Sequence, residues 1–275
     1  PITQQYYLRA RFYNPVIGRF TQEDTYRGDG LNLYAYCANN PVFYTDISGT
    51  DKDSQWGSFN RPVTDTLKVV EETAKSLGVD ENYFLEMMQK TADQLTPTER
   101  VVMESIRNSI PLPTGQTVLQ KVLNPNYVQG YYTGAYLSVN NGRITGCITT
   151  VEDASAMKTP QAIFNGLRLD YDGSPFSPMD EVVTAIRFTP DDTSKIIVPY
   201  ADSMPHPSGG NVSNMTAPFT GHGFTSAQDG QIIPEFYTSG LSLTKGAVMV
   251  EIRKTGGVSV IAIYNNETGT FDPVN

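Results

Sequence analysis

The spacing of apolar residues changes once along this chain, near Pro111. Before that point, residues 62–110 carry apolar side chains three or four positions apart, which is the period of an amphipathic helix. After it, short segments alternate apolar and polar residues, and GAVMVEIRKTGGVSVIAIYN (246–265) has the pattern of two strands joined by a tight turn. The sequence therefore predicts an α+β fold, with helices first and a largely antiparallel sheet after them.

Three helices are predicted in the 62–110 segment. Their predicted ranges are Thr64–Leu77, Glu81–Thr91 and Pro97–Ser109. The third begins at Thr96-Pro97-Thr98-Glu99, the form of a capping box with proline at the first helical position. We interpret these helices as a subdomain that braces the β-rich part, residues 111–275.

The β-rich part is predicted to contain six strands and one short helix. The predicted strands are Arg143–Val151, Leu167–Tyr171, Val182–Phe188, Lys195–Pro199, Ala247–Ile252 and Val258–Tyr264. The short helix runs from Thr159 to Phe164. Residues 200–220 are rich in Pro, Gly, Ser and Asn, and loops of this length in compact domains are often functional lids.

Residues 6–49 contain a series of short, tyrosine-rich sequence motifs. They are Arg11-Phe12-Tyr13-Asn14-Pro15, Gly18-Arg19-Phe20, Asn32-Leu33-Tyr34-Ala35-Tyr36 and Asn39-Asn40-Pro41, closed by Asp46 and Gly49. In this order they resemble the C-terminal signature of the RHS/YD-repeat core of polymorphic toxins. The resemblance implies a β-hairpin unit at 1–50 that belongs to the RHS shell of a parent protein. A linker at 51–61 would then lead to an exported toxin, 62–275, acting in the target-cell cytoplasm and neutralised by a cognate immunity protein.

The same signature often includes two aspartates that cleave the chain, and Asp24 and Asp46 stand at the matching positions. Two carboxyl groups that share a site cannot both ionise easily, so one acts as an acid while the other activates water. Thr25, Ile47 and Thr50 replace the Pro, Pro and Leu or Trp of the family pattern. The alternative is that both aspartates only hold turns through local hydrogen bonds.

Charge and composition limit the kinds of partner and ligand that the chain is expected to bind. The first fifty residues hold four Arg and four acidic residues, so the whole net charge of −9 lies in the remainder. An acidic domain repels phosphate backbones, which disfavours a nucleic-acid partner. Two Cys and two His supply neither a disulfide framework nor a zinc site, so no metal is expected. No apolar run reaches the roughly 20 residues that span a bilayer.

Three short sequence segments in the β-rich part place polar residues among apolar ones. They are Gly166–Tyr171 with Arg168 at its centre, Phe219–Ser226 ending in Thr225 and Ser226, and Ile232–Phe236 with Glu235. In the order Arg, Thr/Ser, Glu, these words resemble the ADP-ribosyltransferase toxin superfamily. The resemblance implies that NAD is the substrate and that a target-cell macromolecule receives the ADP-ribose.

The resemblance also assigns roles. Arg168 would grip the NAD phosphates or ribose, and Thr225 with Ser226 would shape the nicotinamide pocket. Tyr171 or Phe224 would provide a stacking surface, and Glu235 would stabilise the oxocarbenium ion. Ile233 stands where the family usually has a second acid or amide, so a single-acid transferase and an NAD glycohydrolase both fit. Glu251 is the competing acid, and Arg187 the alternative phosphate clamp.

Each of these residues also has a structural interpretation. Arg168 would form an ion pair with Asp170 or Asp180, Thr225 and Ser226 would cap a turn, and Cys147 would be a small core residue. His222 would be a loop residue, and the alternative is that it acts as the base of a metal-independent nuclease. A non-enzymatic interaction module is the remaining class.

Overall fold

The computed structural model describes residues 5–8, 10–23, 32–36, 64–136, 142–210 and 219–274. The chain divides into two compact units, Pro1–Asn60 with Asp80–Asn82 and Arg61–Val79 with Tyr83–Asn275. Asp24, Asp46 and the predicted linker at 51–61 lie outside the described residues, so self-cleavage stays a prediction.

The first unit contains a three-stranded antiparallel sheet. Its strands are β1 (Tyr6–Leu8), β2 (Arg11–Asn14) and β3 (Arg19–Phe20), in that order across the sheet. Phe20 is buried and its ring lies 3.7 Å from the Arg11 guanidinium, a cation–π contact. The rings of Tyr13 and Tyr36 are 4.1 Å apart. Tyr13, Phe20 and Tyr36 therefore pack against one another, whereas Tyr6 and Tyr7 are exposed.

The second unit begins with the predicted helices. They are α1 (Asp65–Ser76), α2 (Glu81–Met88) and α3 (Pro97–Ser109). The Thr64 hydroxyl accepts a hydrogen bond from the Leu67 amide at 3.0 Å, and Thr96 with Glu99 forms the expected capping box. All three helices are confirmed, and α2 is shorter than predicted. No helix among the described residues is long and apolar enough to cross a membrane.

The rest of the unit is built on one eight-stranded sheet. Its strands are β4 (Leu119–Val122), β5 (Arg143–Thr150), β6 (Val182–Phe188), β7 (Ile196–Ile197), β8 (Phe236–Ser242), β9 (Val248–Arg253), β10 (Val258–Asn265) and β11 (Thr270–Pro273). The order is β11-β10-β9-β6-β4-β5-β8-β7, and every neighbouring pair is antiparallel. The predicted α+β class with a mainly antiparallel sheet is thus confirmed.

Other short helices among the described residues include α4 (Val128–Tyr132) and α5 (Pro160–Gly166). The predicted strand Leu167–Tyr171 is wrong, because this segment is the C-terminal cap of α5. The Leu169 amide donates to the Phe164 carbonyl at 3.0 Å, and Arg168 has φ 51°. This is the Schellman pattern, in which a left-handed residue, usually glycine, ends the helix.

The apolar neighbours of Arg168 explain why the cap is stable. A buried cluster lies between α5 and the sheet and consists of Ala154, Met157, Ile163, Val183, Ala227, Ile233 and Ile252. Leu167 and Leu169 pack against it from both sides of Arg168. Burial of the two leucines therefore holds the arginine in a backbone conformation that L-residues seldom adopt.

Candidate functional site

A cavity of about 470 Å³ lies against strands β4 and β5 and the beginning of β8 in the second unit. This volume falls within the roughly 300–1,000 Å³ of small-molecule sites. Its polar lining residues include Gln120, Lys121, Cys147, Thr149, Arg168, Thr225 and Glu235. Its aromatic lining residues are Tyr127, Tyr131, Tyr136, Tyr171, Phe176, Phe219 and Phe236. The wall thus combines flat apolar surfaces with a few charged and hydroxyl groups.

Four of the residues singled out by the ADP-ribosyltransferase resemblance line this cavity, namely Arg168, Tyr171, Thr225 and Glu235. Ser226 lies behind the wall, where its hydroxyl and its carbonyl both accept from the Arg168 guanidinium. Phe224 is fully buried and packs edge-on against Phe84, with ring centroids 5.3 Å apart. The Phe224 ring is therefore a core element and offers no stacking surface to a ligand.

The Arg168 guanidinium is held by protein groups on two sides. Its Nε donates to Asp170 Oδ1 at 2.8 Å and its Nη2 to Asp170 Oδ2 at 3.1 Å, which is a two-pronged ion pair. Its Nη1 donates to the Ser226 carbonyl at 3.2 Å. The guanidinium lowers the pKa of Asp170, chiefly through these hydrogen bonds. Of the two ion pairs that the sequence suggests, the one with Asp170 is present.

Glu235 sits where two segments meet. Its amide donates to the Gly223 carbonyl at 2.9 Å, and the Thr225 amide donates to the Ile233 carbonyl at 2.9 Å. The flanking Ile233 and Phe236 are buried. Among the described residues the Glu235 Oε2 has no hydrogen-bond partner, although it is buried. Burial raises the pKa of this carboxyl to about 8, so at neutral pH the group is largely protonated.

This raised pKa makes stability depend on pH. The pKa of Glu235 rises from 4.5 to about 8 on folding, so the folded protein keeps a proton that the unfolded chain releases between these values. Stability is expected to fall as the pH rises through this range. Glu235→Gln cannot ionise, and its free energy of unfolding should exceed that of the wild type by on the order of a few kcal/mol above pH 8. Thermal unfolding from pH 5 to 9 measures the difference, and a pH-independent difference would contradict this account.

Lys121 and Cys147 mark the place where β4 and β5 diverge. The Lys121 ammonium donates to the Cys147 carbonyl at 3.1 Å, and burial lowers its pKa. A Cβ on Gly146 would come within 3.0 Å of the ammonium nitrogen, so glycine leaves it room. Cys147 is exposed on the cavity wall rather than in the core, yet the surrounding protein raises its pKa to about 11. Its thiol is therefore protonated at neutral pH and is a weak nucleophile.

Three tyrosines form an aromatic cluster on the wall. The rings of Tyr127 and Tyr136 are stacked with centroids 5.0 Å apart, and those of Tyr131 and Tyr136 are 4.6 Å apart. Aromatic faces of this kind accept planar rings by offset stacking. The aromatic density of residues 127–136 is visible in the sequence, but their position on the cavity is not.

The competing residues lie away from the cavity lining. His222 is fully buried, with Nε2 3.3 Å from the Met88 carbonyl, and burial lowers its pKa to about 4. Glu251 pairs with Arg253 on β9, and Arg187 Nε donates to Gln120 Oε1 at 2.9 Å. None of His222, Glu251 and Arg187 contributes to the wall. His222 is thus fully buried and does not face the cavity.

Gly223 fixes the backbone that carries Glu235. It has φ 88°, and a Cβ there would lie 2.5 Å from Arg107 Cδ. We expect Gly223→Ala to cost about 2–5 kcal/mol of stability, because left-handed strain adds to overpacking. Gly256 has φ 78° with open space around it, so Gly256→Ala is the matched control and should cost only about 1 kcal/mol. Urea unfolding measures both, and equal losses would show that the contact with Arg107 is unimportant.

Ligand chemistry must be inferred from the cavity itself. The described residues contain no group of three or more His, Cys, Asp or Glu placed to hold a metal ion. What they do bring together is a guanidinium, an ammonium, a buried carboxyl and several aromatic faces. No protein-family model, no curated protein and no solved structure matches the chain.

Proposed function

We propose that the cavity binds NAD and breaks the bond between its nicotinamide and ribose. The observation that carries the proposal is that Arg168, Thr225 and Glu235, from three separate segments, line one cavity. Their order along the chain is the one on which the resemblance to ADP-ribosyltransferases rests. A chance resemblance between short sequence segments would not by itself bring these three side chains to the same cavity.

The proposed chemistry depends on Glu235. As nicotinamide leaves, positive charge develops on the ribose, and a carboxylate fixed beside it lowers the barrier. The buried Ile233 and Phe236 keep water from this end of the cavity, which strengthens the electrostatic effect. The carboxyl is protonated in the free protein, where burial raises its pKa to about 8. The positive charge of the bound nicotinamide and the charge that develops on the ribose both favour the ionised form of Glu235. The attraction between the Glu235 carboxylate and the ribose is therefore strongest at the transition state.

Other residues position the reacting groups. The Thr225 hydroxyl donates to the Gly166 carbonyl at 2.9 Å, and this bond ties the end of α5 to the segment that carries Ser226. Arg168 would bind phosphate or ribose with the part of its guanidinium that faces the cavity. Tyr171 and the tyrosines at 127, 131 and 136 would receive the nicotinamide or adenine ring. Thr225 and Ser226 therefore act as positioning residues in this proposal.

The ribosyl acceptor distinguishes two versions of the activity. We favour ADP-ribosyl transfer to a target-cell macromolecule, following the resemblance. Hydrolysis of NAD is the second candidate, and one observation supports it. Ile233, at the position of the usual acceptor-activating acid or amide, is 1% exposed and belongs to the apolar core cluster. An enzyme without that group has only the single acid Glu235 at this point.

We also propose a biological setting for this activity. The words at residues 6–49 support a chain that is the C-terminal toxin of an RHS-repeat polymorphic toxin. Such a toxin would be carried by the RHS shell, exported, and neutralised by a cognate immunity protein in the producing cell. The net charge of −9 argues against a nuclease acting on target-cell nucleic acid.

The test is incubation with NAD labelled in its adenylate half, with and without whole-cell lysate. Labelled protein indicates transfer, and free nicotinamide without labelled protein indicates hydrolysis. Glu235→Gln should abolish either product, while Glu251→Gln, on a residue outside the cavity lining, should not. If the wild type yields neither product, the proposed NAD chemistry is wrong and a non-enzymatic module becomes the better interpretation.

A further inference from the structure

Two buried oxygens on the cavity wall have no hydrogen-bond partner within the described part of the chain. They are Thr149 Oγ1 and Glu235 Oε2. Thr149 is only 4% exposed, so bulk water does not solvate its hydroxyl. An unsatisfied buried polar group destabilises a fold, and native proteins keep few of them without a reason. Two such atoms on one cavity therefore point to a polar ligand group.

Strand pairing explains how the two residues come together. Ile148 pairs with Phe236 in the antiparallel register of β5 and β8, so Thr149 is opposite Glu235, the residue that immediately precedes β8. On its other side Thr149 pairs with Gln120 of β4. The Gln120 Oε1 already accepts from Arg187 Nε at 2.9 Å. The Thr149 hydroxyl thus lies between two polar residues and is bonded to neither.

The chemistry of the pair selects the kind of ligand group. A threonine hydroxyl donates one hydrogen bond and accepts others, and a carboxyl does the same when protonated and only accepts when ionised. A sugar hydroxyl both donates and accepts, so it satisfies both residues in either state. A phosphate oxygen would be repelled by Glu235 as a like charge once the carboxyl ionises, and an apolar group would leave both oxygens unsatisfied. Neighbouring hydroxyls on a ribose fit best.

We propose that Thr149 is a positioning residue that binds a ribose hydroxyl of the ligand beside Glu235. The identification of this sugar as the nicotinamide ribose of NAD rests on the function proposed above. Thr149 would then fix the rotation of the ribose, so that the bond to be broken stays next to the Glu235 carboxyl. Its effect should appear in kcat/KM and depend on the substrate hydroxyl.

The test compares two variants on three substrates. Thr149→Val removes the hydroxyl and keeps the shape, while Thr149→Ser keeps the hydroxyl. The substrates are NAD and the analogues whose nicotinamide ribose lacks the 2′- or the 3′-hydroxyl. We expect Thr149→Val to lower kcat/KM for NAD by about 10- to 100-fold and to cause little further loss with one of the analogues. The kcat/KM of Thr149→Ser for NAD should stay within about threefold of the wild-type value. Equal losses of Thr149→Val on all three substrates would overturn the inference.

Further outcomes separate this inference from the proposed function. If the wild type cleaves NAD and Thr149→Val is unchanged, the role of Thr149 is wrong and the proposed function stands. If the wild type does not cleave NAD, that function fails, and calorimetry with ADP-ribose decides the role of Thr149. Weaker binding of ADP-ribose to Thr149→Val than to the wild type would then support it. Equal binding, or no binding to the wild type, would overturn it.

Discussion

Glu235→Gln is expected to lower the turnover of NAD by on the order of a hundredfold or more. The change keeps the size of the side chain and removes the negative charge that stabilises the developing oxocarbenium ion. NAD affinity should change far less, because that charge is needed mainly at the transition state. Release of nicotinamide under saturating NAD gives turnover, and calorimetry on the inactive variant gives affinity.

The pH dependence provides an independent check of the same residue. Since burial raises the pKa of Glu235 to about 8, kcat/KM of the wild type is expected to increase as the pH rises through that value and the carboxylate forms. Glu235→Gln should lack this rise. Glu251→Gln is the matched control, because Glu251 is paired with Arg253 away from the cavity lining. Loss of turnover in Glu251→Gln with none in Glu235→Gln would move the acid to β9, and activity in both would refute the ADP-ribosyltransferase interpretation.

Arg168→Ala is expected to reduce kcat/KM for NAD by about 10- to 100-fold, because hydrogen bonds from a charged group are worth about 1.5–3 kcal/mol. Arg168→Lys should restore little of this. A guanidinium can bond Asp170 through two nitrogens and still present an N–H to a ligand in a fixed plane, and an ammonium cannot. Kinetics of nicotinamide release and the affinity for NAD, measured on both variants, test the expectation.

The ion pair with Asp170 requires a control. Asp170→Asn removes the carboxylate charge that holds Arg168 in place and leaves the guanidinium itself. If Arg168 binds NAD, this variant should lose stability but keep most of its activity. If Asp170→Asn loses as much activity as Arg168→Ala, the loss in Arg168→Ala comes from breaking the ion pair and is no evidence that Arg168 binds NAD. Full activity in Arg168→Lys would show that only a point charge is needed.

Local residue patterns predict the helices α1, α2, α3 and α5 and five of the eight strands of the large sheet, namely β5, β6, β7, β9 and β10. The capping box at Thr96–Glu99 is present, and β6 has the predicted bounds Val182–Phe188. β8 was missed because FYTSGLS is rich in small and polar residues that favour turns. Leu167–Tyr171 was assigned wrongly because Leu-Arg-Leu alternates like a strand. The hydrogen bond that makes the segment a helix cap lies in the backbone, and the left-handed position holds arginine instead of glycine.

The candidate site was predictable only in part. Arg168, Thr225 and Glu235 stand out because each is a polar residue within an apolar or glycine-rich word. Lys121 and Thr149 carry no such signal, since a lone lysine or threonine in a short strand is ordinary. Their positions follow from the pairing of β5 with both β4 and β8, which joins distant parts of the chain. Phe224 has the residue type that stacking needs, but tertiary packing against Phe84 buries its ring.

The pairing of β5 with β8 also sets the order in which the site can be completed during synthesis. β5 ends at Thr150, whereas its partner begins at Phe236, so the wall stays open until most of the domain has left the ribosome. Contacts this distant in sequence form late, because a long loop must first close. Glu235 immediately precedes that last wall strand. A nascent or prematurely terminated chain that lacks β8 would therefore carry Arg168 and Thr149 without an assembled site, and any activity of the cavity begins only after β8 has been synthesised.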